Sequence, residues 1–182
     1  MNTAIYSALC ACFGLSPTSA EAALLIREAY QEPENNPRPP RSADVIYYSA
    51  EPDTAAGEMP PAYALTRRGA AFGESVDLFA AFRLLVVCYG PHALENARKI
   101  RAFLFVDGAN CPRSILRQAG LYPVPQPPEP LLLREPEGSL WRQRADLAVS
   151  VYARETLVHA AAKNAIRVAP AVIVHSEESE NE

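Results

Sequence analysis

Apolar positions first recur at helical spacing: Ile5, Ala8, Leu9, Cys12 and Phe13 fall on one side, which predicts an amphipathic helix over 4–13 ending at Gly14. The segment "EAALLIREAYQ" carries two patterns. Ala22, Leu25, Ile26 and Ala29 fit a helix, whereas Leu24, Ile26 and Glu28 give only a poor strand alternation, so composition favours a helix over 21–30. "PENNPRPP" continues neither regular structure, because each Pro fixes φ, removes a donor and restricts its predecessor. "DVIYYSA" has the β-branched and aromatic content of a strand, and "AYALTRR" predicts another beyond the loose stretch "EPDTAAGEMPP".

The longest strand-like run is "VDLFAAFRLLVVCY", residues 76–89. Val76, Leu78, Phe82, Leu84, Val86 and Cys88 share one face, while Asp77 and Arg83 mark another that turns apolar toward the end. Such a strand begins half exposed and finishes buried on both faces. At about 3.3 Å per residue it spans more than about 40 Å unbroken, so a bend or division is expected. Gly90 then ends it and Pro91 suits the first helical position. Ala93, Leu94, Ala97, Ile100 and Leu104 form the helix's apolar stripe.

"CPRSILRQAG" predicts a shorter helix, opened by Pro112, buried through Ile115, Leu116 and Ala119, and capped by Gly120 with Leu121 behind it. "LLLRE" and "SLWRQRADLAVSVYAR" form the arms of a hairpin around "PEGS". In the second arm Leu147, Val149, Val151 and Ala153 oppose Arg144, Asp146, Ser150 and Tyr152, the cleanest period of two in the chain. One face meets the core and the other meets solvent or a neighbouring subunit. After the Ala-rich "VHAAAKNA", "IRVAPAVIVH" predicts a last strand that Pro170 confines to an edge or splits.

These elements predict an α+β fold, a mixed or largely antiparallel sheet packed by two to three helices. One domain spans 1–175, followed by a disordered acidic tail over 176–182, "SEESENE". A chain of 182 residues suits one such domain. Seventeen prolines, nearly twice the usual share of about 5%, belong in connections. The net charge of −4 argues against a basic, nucleic-acid-coating surface. Among seventeen basic residues only Lys99 and Lys163 are lysine, a bias for which GC-rich coding is the simplest source. No run reaches the roughly 18 apolar residues of a membrane span. The N-terminus lacks the positive start of a secretion signal, so cytosolic synthesis is expected.

Candidate chemistry is sparse. Cys10, Cys12, Cys88 and Cys111 show no paired metal spacing, and Cys10 and Cys12 lie about 200° apart on a helix, so buried reduced thiols are expected and no metal or cofactor is. Cys88 and His92 are four residues apart, but a thiol nucleophile needs an orienting acid or amide and none is evident nearby in the chain. "RRGAAFGES" lacks the ending of a phosphate-cradling loop. Arg67 with Arg68, and Arg142 with Arg144, are tight basic pairs whose simplest reading is solvated arginine. Trp141 beside Arg142 and Arg144 is the place that looks like an interface.

The order of motifs, a strand ending in "CYG", the helix "PHALENARKIRAFL", a short helix into "GLYPV", then "WRQRADLAVSVY", resembles the neck or tail terminator proteins of long-tailed bacteriophages. With the upstream "IREAYQ" and "PRPP" the likeness covers roughly 24–154. It implies a non-enzymatic ring, commonly a homohexamer, that caps the tail tube protein and joins it to the head-tail connector or stopper protein. DNA passes through the lumen without sequence-specific binding. The implied place is the virion, after assembly in the host cytoplasm. It also implies that 21–30 is partly extended, against the helical periodicity. A head-completion or stopper protein is the alternative, and a small cytosolic enzyme a more distant one.

Overall fold

The computed structural model describes residues 1–31, 39–53, 62–68 and 71–160, with the backbone alone for 62–68, 71–76 and 157–160. The strand expected over 166–175 with Pro170, the acidic tail over 176–182 and most of both Pro-rich connectors lie outside the described residues.

Two long strands form the spine. β4 (Ala71–Tyr89) pairs antiparallel with β7 (Leu140–Ala160) without interruption, from Gly73 opposite Ala160 to Tyr89 opposite Arg144. β7 occupies one edge of β4, so β3 (Ala62–Arg68) and β2 (Val45–Pro52) share the other, at opposite ends. On the far edge of β7, β6 (Leu131–Glu137) and β5 (Leu121–Pro123) likewise divide the length. β1 (Ile26–Glu28) adds the single parallel pairing among the described strands, beside β2. The chain is therefore α+β, with a mostly antiparallel sheet in which the seven described strands take part.

α1 (Asn2–Cys12), α3 (Ala93–Phe103) and α4 (Pro112–Gln118) pack together, with α3 laid on β4 and β7. They bury one sheet face. Ile46 of β2, Leu84, Val86 and Cys88 of β4, and Leu147 and Val149 of β7 meet Leu9, Ile100, Leu104 and Leu116 from the helices. Each fully buried aliphatic side chain of this set contributes about 1.5–3 kcal/mol. The alternate residues Leu85, Val87 and Tyr89 of β4 and Arg144, Asp146 and Ala148 of β7 are only half buried. Strand alternation thus makes an inner face under helices and an outer face that no described helix covers.

Four expectations need correction. The helix over 21–30 is only half present: α2 (Ala20–Leu25) is capped by the Ser19 hydroxyl accepting from Ala22 N–H at 3.1 Å, and the chain then becomes β1. Ile26 is buried and sits opposite Ile46, so a sheet partner overrides local helical preference. The 76–89 run is not divided; it is longer, a single strand whose partners change along it. α3 begins at Ala93 rather than Pro91, because Asp44 accepts the His92 N–H at 3.0 Å and holds that residue outside the helix. β7 runs on through "LVHA" to Ala160, into the stretch expected to follow it.

Candidate functional site

The β6–β7 hairpin turns at Gly138, whose φ of +66° suits glycine, and pairs Glu137 with Leu140. That register places Leu133 opposite Arg144 and Glu135 opposite Arg142, so these four side chains share the outer face. Arg142 is buried, 8% exposed, and its guanidinium lies 4.9 Å from the centre of the Tyr89 ring. Tyr47 meets the same ring edge to face at 6.0 Å. Arg144 donates twice to Asp146, at 2.7 and 2.9 Å, and once to Glu135 at 3.2 Å. The Tyr89 hydroxyl donates to Glu135 at 2.8 Å. Arg41 donates from Nε to Glu137 at 2.9 Å and from Nη2 to the Glu137 carbonyl.

This network sets its own electrostatics. The hydrogen bond from Tyr89, then Arg144, holds the Glu135 carboxyl below its usual range. Burial first, then the bond to Glu135, pushes the Tyr89 phenol up to about 12. The Asp146 carboxylate pushes Arg144 further above the usual guanidinium range. Near neutrality Glu135 and Arg144 therefore stay charged and Tyr89 stays protonated.

Two hollows border the cluster. A cleft of about 180 Å³ lies between Pro39, Tyr47, Tyr89, Glu135, Glu137 and Arg142. A broader one of about 400 Å³ is lined largely by Tyr30, Tyr47, Leu85, Val87, Leu131 and Ala148. Leu131 and Leu140 on the same face of the hairpin are 60 and 58% exposed, and Leu132 and Trp141 on its opposite face 49 and 68%, an unusual set for one short hairpin.

The residues singled out in sequence divide here. Arg142 and Arg144 meet over Tyr89, whereas Trp141, opposite Pro136, lies on the other face of the strand. Arg142 is not the solvated arginine its pairing suggested. Arg67 and Arg68 belong to β3, where only the backbone is described. Sequence reading missed Tyr47, Tyr89 and Glu135. A two-residue turn at 138–139 fixes the hairpin register, and from that register Glu135 falls opposite Arg142.

At the strand-to-helix corner, the expectation that His92 lacks an orienting acid is overturned. Asp44, distant in sequence, contacts Nδ1 at 2.8 Å as well as the backbone N–H. Cys88 stays in the core, where burial, with Asp146 and Asp44 adding to it, pushes the thiol up to about 12. Burial does the same for Cys12, and it raises Cys10 in the same direction. All four thiols are free; Cys111 is only half buried. Among the described residues no three His, Cys, Asp or Glu side chains are grouped to hold a metal, and no helix is long and apolar enough to cross a membrane.

No family model matches this chain, and no curated protein matches it either.

Proposed function

We propose that this chain is a structural virion subunit, a ring-forming tail terminator that caps a tail tube and joins it to the head connector. The observation that carries the reading is the one-sided burial of the sheet. Helices cover the inner face, while the outer face and the β6–β7 hairpin present leucine, tyrosine and tryptophan to the surroundings. Surfaces of this kind are for partners. The outer edges of the sheet, as the described strands form it, support the same reading. β3 and β6 sit on opposite edges of the sheet and at opposite ends of the β4–β7 spine, so contacts from one edge to the other are head-to-tail, the kind that makes a ring when the rotation between copies closes. Two of the motifs fall on the spine, "CYG" at the end of β4 and "WRQRADLAVSVY" within β7, and "ALENARKIRAF" is α3, which packs on both strands. A net charge of −4 suits a lumen through which DNA slides without sticking.

Native mass spectrometry of the chain, alone and after incubation with purified tail tubes, tests the proposal. A closed homo-oligomer, expected to be a hexamer, forms alone or on the tubes. A chain that stays monomeric alone and leaves the tubes bare overturns it.

A further inference from the structure

Arg142 is the one buried charged residue among the described residues. Its guanidinium carries five N–H donors. Nη2 reaches the Pro40 carbonyl at a long 3.5 Å, and Nε is buried with no acceptor among the described residues. The carboxylates that share its cleft are engaged by other cations: Glu135 by Arg144, with Tyr89, and Glu137 by Arg41. Arg41, Arg142 and Arg144 balance Glu135, Glu137 and Asp146, so the cluster is neutral in sum. What remains open is hydrogen-bond capacity rather than charge. A planar guanidinium held against Tyr89 presents that capacity as a fork matched to a carboxylate.

We propose that the Arg142 cleft is half of a shared site, completed by a carboxylate that a neighbouring copy of the chain presents. The inference rests on the ring-forming reading above and names the contact that holds it. The cleft of about 180 Å³ has room for such a group beside Tyr47 and Tyr89. Leu131 and Leu140 line the same hairpin and exclude water from the contact once a partner covers them. The chain supplies suitable groups, because Glu21, Glu51 and Glu155 are exposed carboxylates outside any ion pair among the described residues. Each copy would thus offer a donor at one place and an acceptor at another, as a head-to-tail contact requires.

Sedimentation velocity of the full chain at rising concentration, with and without sodium succinate, reads the contact, and titration calorimetry with succinate reads the cleft itself. Arg142→Met and Arg142→Lys are the variants. Self-association weakened about tenfold or more in both, with Tm unchanged or raised, is the expected result. Arg142→Lys keeps the charge and loses the fork, so its failure to associate assigns the role to geometry. If the chain stays monomeric but succinate binds the parent and neither variant in the calorimeter, the carboxylate site stands and its source is a free acid. Association unchanged in both variants overturns the inference while leaving the ring-forming reading intact. A lack of response to both concentration and succinate overturns it as well.

Discussion

Gly90 and Asp44 make one device at the corner between β4 and α3. Gly90 sits at φ +113°, and a Cβ added there would lie 2.4 Å from Asp44 Oδ1 and 2.8 Å from the Ala43 carbonyl. Only glycine lets β2 and the corner approach this closely. Gly90→Ala should therefore lower the unfolding free energy by about 2 kcal/mol or more, read from urea denaturation. The His92 ring in the same device has a raised pKa, caused first by its hydrogen bond to Asp44. Since the folded value lies above the unfolded 6.5, the pairing contributes its stability in full below pH 6.5. The contribution is lost as pH rises through the folded value. Asp44→Asn should return the His92 titration, followed by NMR, toward 6.5 and flatten that part of the stability profile; an unmoved titration would reject the pairing.

At the scale of elements, β7 shows how alternation divides labour. Val149 is fully buried on the inner face, while Ser150 beside it is exposed. Val149→Asp places an unpaired charge under α3 and should abolish folding, costing several kcal/mol, whereas Ser150→Asp should leave Tm within a degree or two. Circular dichroism on both proteins makes the comparison, and a folded Val149→Asp protein would show that the inner face is not the core. The same alternation was legible in the chain: Leu147, Val149 and Val151 are buried as their spacing predicts, and α3 buries Ala93, Ala97 and Ile100 on its expected stripe. The α2–β1 segment was not legible. Its apolar residues serve a helix and a strand equally, and the choice at Ile26 falls to Ile46 twenty residues away in β2. The length of β4 was not legible either, because what sustains it lies elsewhere in the chain: β7 along one edge and β3 and β2 in turn on the other.

At the scale of the whole molecule, the described helices cover one side of the sheet. Leu132 and Trp141 project from the hairpin with 49 and 68% of their surface exposed, and neither belongs to the core cluster. Replacing both by Ser should change monomer stability by less than about 0.5 kcal/mol. Under the ring-forming proposal the same replacement should deplete the assembled species in native mass spectrometry and its co-sedimentation with tail tubes. Wild-type assembly by the double variant would remove this corner from the interface. The measurement separates folding from association, since the changed residues lie outside the core.

The sequence by itself determined which positions are apolar, where prolines forbid regular structure, and hence the α+β class, the three inner-face helices and the β6–β7 hairpin, because these follow from periods of 3.6 and 2 and from backbone chemistry within a few residues. Tertiary structure alone decided the rest: that Asp44 orients His92, that Arg142 is buried over Tyr89 while Trp141 faces the other way, and that the described helices all cover one sheet face. Each of these depends on strand register and on which elements share a face, and those are set by packing between residues far apart in the chain rather than by any local pattern.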